Sequence, residues 1–261
     1  MFTKEMINEK LIRIHLPGNV FAYYLEGDTS GLLIDTGFGY GDLKSFIDSI
    51  STKPYILVCT HGHLDHAGGV VQFDTVYMNH KDIDVARMHT DTELRTNYFK
   101  SSVSDFKEEL VQPMCPLDRY QNLEDGMTFD LGNLHVVSID LPGHTPGSVV
   151  LYIPEYRIVL FGDAINSAGF LQLPESSSIP EYREALIHFN SFYKGKYDIA
   201  LFSHPHNFGG TELVDETIEL CDEIIDGTLI PVEMGDGIKA AKPFNEQNRR
   251  IDGKTANFLY K

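Results

Sequence analysis

Apolar positions along the chain gather into short runs, and glycine- and proline-bearing turns separate them. Residues 11–16 and 20–25 flank Pro17-Gly18-Asn19, a pattern that predicts a β-hairpin. A strand at 31–35 follows the turn 27–30. Residues 42–50 then place Leu43, Phe46, Ile47 and Ile50 on one helical face. The apolar run 55–59 reads as a strand that enters the loop 61–69 directly, and 75–78 is a further short strand. Residues 80–112 are polar and mostly helical in spacing, a rim of helices before strands resume. The second half repeats this logic. It has strands at 134–139, 148–153, 157–161 and 199–202, helices at 180–193 and 211–225, and a last strand at 257–260.

Strand clusters and helices thus alternate in two similar halves. That order predicts an α/β protein, a sandwich of two mixed β-sheets with helices on the outer faces. The chain has 261 residues, 42% of them hydrophobic, enough for a sizeable core. With no low-complexity linker, residues 1–261 are expected to form one domain, with 227–261 as its C-terminal extension.

Charge narrows the function. Lys and Arg total 21 against 38 Asp and Glu, a formal net charge of -17. Such a surface repels nucleic acid and anionic lipid, so no nucleic-acid or membrane partner is expected. No run approaches the roughly 18 to 20 apolar residues of a membrane span, and the N-terminal segment lacks a secretory apolar stretch. Cys59, Cys115 and Cys221 form no CxxC pair. Reduced thiols in a soluble cytoplasmic protein are the expectation.

The chemistry concentrates in Thr60-His61-Gly62-His63-Leu64-Asp65-His66-Ala67-Gly68-Gly69. If this loop starts extended, His61 and His63 point the same way, because side chains alternate. Asp65 and His66 come next and can face a second ion. Imidazole and carboxylate are among the ligands that zinc prefers. Three further candidates each end a predicted strand. They are His144 in Pro142-Gly143-His144-Thr145-Pro146-Gly147, Asp163 in Phe161-Gly162-Asp163-Ala164, and His204 in Ser203-His204-Pro205-His206. Strand ends are where a rigid scaffold presents side chains. His15, His80, His89, His135 and His188 show no ligand pattern and read as surface or packing residues.

The order HxHxDH, PGHTPGS, GDA and a late histidine resembles the metallo-β-lactamase superfamily, over about residues 10 to 210. The resemblance implies an αββα sandwich. It also implies that His61, His63 and His144 hold one metal, that Asp65, His66 and His204 hold a second, and that Asp163 bridges them. His206 is the rival for the last ligand. Asp35, in Leu33-Ile34-Asp35-Thr36-Gly37, resembles the family's aspartate that orients a ligand histidine.

The resemblance implies a dinuclear zinc-dependent hydrolase, with iron or manganese as alternative metals. It would cleave a small ester, thioester, lactone or related bond of a small-molecule substrate by metal-bound hydroxide, with Asp65 catalytic. Two zinc ions with Asp65, Asp163 and a hydroxide keep about one net positive charge, suited to polarising a carbonyl. Glyoxalase II shares this ligand set, but 211–261 is short for its helical domain. Lactonases of the family place a tyrosine shortly after the bridging aspartate, whereas this chain has Asn166 near that place and no nearby tyrosine. Two other classes compete. A persulfide-dioxygenase-like oxygenase would use one iron on two histidines and one aspartate, but that family's Gly-Arg-Thr-Asp-Phe stretch is missing from 166–175. A non-catalytic binding module would be expected to have lost ligands. Residues 80–120 and 164–178 are the expected pocket walls, with Phe170, Leu171 and Leu173 as apolar lining.

Overall fold

The computed structural model describes residues 2–102 and 105–261. Two compact units divide the chain, the first ending at Val136 and the second being Val137–Lys261.

In the first unit seven strands lie side by side in chain order. They are β1 (Thr3–Met6), β2 (Leu11–Leu16), β3 (Val20–Glu26), β4 (Gly31–Ile34), β5 (Tyr55–Val58), β6 (Val76–Met78) and β7 (Tyr120–Asn122). The strands from β1 to β4 form an antiparallel meander. From β4 to β7 the pairing is parallel. Strand β8 (Thr128–Asp130) comes after them in the chain. Every residue of β4, and all of β3 but its last, is buried. That explains why these strands read as continuous apolar runs rather than alternating ones.

Helix α1 (Leu43–Ile50) starts at Asp42, whose carboxylate accepts from the Ser45 N–H at 2.9 Å, and it buries Leu43 and Ile47. The others are α2 (Leu64–Ala67), α3 (Ile83–His89) and α4 (Thr92–Ser102). The helical stretch expected over 80–112 is therefore shorter. Beyond α4 the chain makes only a 3-10 turn, Glu108–Leu110, and a β-bridge from Val111 to Tyr40 among the described residues. A polar surface segment carries no apolar face that would distinguish helix from turn. Val103 and Ser104, within that expected stretch, lie outside the described residues.

In the second unit β9 (His135–Asp140), which begins at the boundary, β10 (Val149–Ile153), β11 (Ile158–Leu160) and β13 (Ile199–Leu201) are neighbours in the order β13-β11-β10-β9. Strand β12 (Gly169–Leu171) joins a separate sheet with β14 (Val232–Gly235), β15 (Ile238–Ala240) and β16 (Phe258–Tyr260), in the order β12-β16-β15-β14. Of this sheet the apolar pattern predicts only β16. Helix α5 (Ile179–Tyr193) opens with a capping box of Ser178 and Glu181, with Pro180 in its first turn, and buries Tyr182, Leu186 and Phe189. It packs on α6 (Leu213–Ile225).

Candidate metal and active site

Parallel pairing sets up the first group of residues. Strands β4 and β5 run the same way, with Ile34 opposite Val58, so the segments that leave them emerge at one edge. Asp35 leaves β4 with a left-handed backbone (φ 63°) and is 1% exposed. Its carboxylate accepts from the Thr60 N–H at 2.7 Å, the Thr60 hydroxyl at 2.9 Å, and His66 Nδ1 at 2.9 Å. The single hydroxyl proton of Thr60 goes to Asp35, so Thr60 Oγ1 accepts from His61 Nδ1, 3.1 Å away. In both His61 and His66, Nδ1 therefore donates, and Nε2 carries the lone pair in the neutral ring.

His61 and His63 point the same way, as the alternation predicts. His61 Nε2 is 3.1 Å from His63 Nδ1, and the ring centroids are 4.7 Å apart. The chain then turns into α2, which carries Asp65 and His66, with Asp65 Oδ2 3.7 Å from His66 Nε2. Burial pushes the neighbouring Cys59 thiol well above its usual range, with Asp35 adding to the effect. That thiol stays protonated and inert.

Sequence reasoning missed three supports of this loop. The Thr60 hydroxyl links Asp35 to His61. Asp82, fully buried, accepts the Gly62 N–H at 2.8 Å and so holds the peptide between His61 and His63. His89, expected to be a surface or packing residue, lies against a candidate ligand: its ring centroid is 4.4 Å from that of His63. Asp82 and His89 lie 19 or more residues from Gly62 and His63 and share no motif with them, so only Thr60, inside the motif, offered a signal.

In the second unit, β10 is antiparallel to both β9 and β11, and β13 is parallel to β11. The C-terminal ends of β9, β11 and β13 therefore share one edge of the sheet. His144 follows β9, Asp163 follows β11 and His204 follows β13. Asp163 Oδ2 lies 3.2 Å from His204 Nε2 and 3.9 Å from His144 Nε2. His206 instead stacks on His204 with centroids 5.4 Å apart, and burial and His204 both lower its pKa.

His144 Nδ1 donates to the Phe170 carbonyl at 2.8 Å. A carbonyl only accepts, so Nε2 of His144 also holds the lone pair. Two glycines shape these turns. A Cβ on Gly143 would stand 2.2 Å from the Tyr182 ring, and Gly162 has φ 56°. The Tyr182 hydroxyl donates to the Ala164 carbonyl at 2.7 Å, which ties α5 to the segment bearing Asp163.

The chain belongs to the metallo-β-lactamase superfamily, whose family model matches residues 15–216. It is similar to the acyl-coenzyme A thioesterase MBLAC2 of Bos taurus, 26% identical over 216 residues, which span 73% of this chain and 75% of that protein. It is also similar to the hydroxyacylglutathione hydrolase GloC of Haemophilus influenzae, 24% identical over 144 residues, 55% of this chain and 65% of that one. A solved metallo-β-lactamase from Pontibacter korlensis shares the fold with a TM-score of 0.62 at 20% identity, over 85% of this chain and 99% of the other. The α/β sandwich expected from the sequence is thus the fold, and the chain is a hydrolase. Among the described residues no helix is long and apolar enough to cross a membrane.

Proposed function

We propose that this chain is a dinuclear zinc-dependent hydrolase of small acyl substrates, with thioesters first among them. In this reading residues 1–261 act as one domain. His61, His63 and His144 hold one ion, Asp65, His66 and His204 hold the other, and Asp163 bridges them. The observation that carries the reading is the position of Asp163. Its Oδ2 stands between His144 and His204, one histidine from each proposed ligand set. The donor chemistry fits. Imidazole nitrogens and carboxylate oxygens suit zinc, and hydrogen bonds to Thr60, Asp35 and the Phe170 carbonyl leave His61, His66 and His144 with an Nε2 lone pair. Asp35 orients His66 directly and His61 through Thr60.

Zinc in such a site would supply Lewis acidity and lower the pKa of a water to about 7. The protein's own residues do the rest. Asp65 accepts a hydrogen bond from the attacking water and passes its proton onward. Water adds to the acyl carbon, the carbon–sulfur bond breaks, and the proton returns to the departing sulfur, giving a carboxylic acid and a thiol. The thioester preference follows the relative named acyl-coenzyme A thioesterase, and the relative named hydroxyacylglutathione hydrolase also points to an acyl substrate.

The test is elemental analysis of protein purified without added metal, followed by a hydrolysis screen of zinc-loaded protein over esters, thioesters, lactones, β-lactams and phosphodiesters. Two zinc ions per chain and cleavage of thioesters are expected. A single iron per chain would overturn the reading in favour of an oxygenase.

A further inference from the structure

Outside the ligand residues, the second unit contains a partly enclosed pocket of about 100 Å³. Its apolar walls are Phe170, Phe244, Phe258 and Leu259, and His206 and Asn248 stand at its polar side. The pocket adjoins the proposed metal ligands through two of these walls. The Phe170 carbonyl fixes His144, and His206 stacks on His204. Its base is the parallel pair β12–β16, where Gly169 faces Phe258 and Phe170 faces Leu259. Phe244, Asn248, Phe258 and Leu259 all lie beyond residue 216, where the family match ends. Residues beyond 216 therefore supply five of the ten lining residues, the other five being Ser167 to Phe170 and His206. Of the residues expected to line an apolar cleft, Phe170 does so, whereas Leu171 packs into the core.

We infer that this pocket receives the acyl group of the substrate and selects a short, uncharged chain, so that the extension 227–261 sets acyl-length specificity. The inference rests on the thioesterase reading. No Asp, Glu, Lys or Arg lines the pocket, so a charged acyl group would lose hydration without meeting a fixed charge of opposite sign. Size sets the length. An apolar cavity of about 150 Å³ takes benzene, so the present volume accommodates about four carbon atoms. A longer chain must leave the pocket and expose its remaining methylenes to water.

The test compares kcat/KM for acetyl, butanoyl, hexanoyl and octanoyl thioesters of one thiol. Zinc-loaded wild type should favour acetyl and butanoyl over octanoyl by about tenfold or more, the scale on which pockets discriminate methylenes. Phe244→Ala and Leu259→Ala enlarge partly exposed walls and spare the buried Phe258. Each should raise the octanoyl-to-butanoyl ratio by about tenfold. A wild type indifferent to chain length, or a ratio unmoved in both folded variants, would overturn the inference. A second readout needs no turnover: butanamide should shift the ring resonances of Phe244 and His206, and octanamide should not. Unshifted rings with butanamide would also overturn it. If no thioester is cleaved at all, the thioesterase reading fails, while the amide measurement still decides what the pocket binds.

Discussion

In the first unit, four candidate donors follow a single strand within six residues, whereas in the second unit three donors leave three different strands, 60 residues apart from first to last. The local cluster depends on its own backbone. An extended start aligns His61 with His63, the turn of α2 carries Asp65 and His66, and Asp35 and Asp82 brace the loop from behind. The distributed cluster depends on a sheet. Asp163 meets His204 because β11 and β13 are parallel neighbours, and His144 joins them because β9 runs the same way. One cluster is thus encoded by spacing and the other by topology. The two should respond differently to damage.

The largest effects should come from the proposed ligands themselves. His61→Ala and His144→Ala should each remove a metal and nearly all hydrolysis, since each supplies one of few bonds to the ion. Full metal content and activity in both variants would end the assignment. Asp163→Ala is the sharper version, because its carboxylate is proposed to serve two ions. Bound metal should fall from two ions to about one or fewer per chain, and activity should collapse. Asp163→Asn should retain more metal yet remain impaired, because an amide oxygen carries no charge.

A smaller effect is expected behind the local cluster. Asp35→Asn should weaken metal affinity by roughly tenfold to a hundredfold, measured by competition with a chelator. Unchanged affinity would make Asp35 a turn residue only. Thr60→Val keeps the shape but removes the hydroxyl that joins Asp35 to His61. It should cost about 1–3 kcal/mol of stability, seen as a lowered Tm, because a buried carboxylate loses a donor. Retained stability in Thr60→Val would show that the backbone N–H of Thr60 suffices. The smallest effect belongs to Asp140, the last residue of β9, four positions before His144. Asp140→Ala should leave metal content alone, measured as metal per chain by elemental analysis. Metal loss there would mean that the strand end, and not only the ligand, shapes the distributed cluster.

Most strands were legible because burial leaves apolar runs. β2, β3, β5 and β10 show this, as does α5 with its Ser178–Glu181 cap. Elements without such a signature were not. β1 exposes all four of its residues, and β14 is mostly exposed, so neither carries an apolar pattern to read. Their existence comes from pairing with β2 and with β15.

The sequence by itself determined the local chemistry: which residues could bind metal, the shared direction of His61 and His63, and the glycines that let the turns close. These are short-range matters, decided by spacing and by backbone conformation. Only the tertiary structure decided that Asp163 rather than a solvated turn faces His204, that His206 stands aside at a pocket wall, and that Phe170 holds His144 through its carbonyl. Each of these contacts joins residues from separate strands or loops, and the hydrogen-bonded order of the strands places them. That order is set by which apolar faces pack together across the whole unit, a property that no local window of sequence contains.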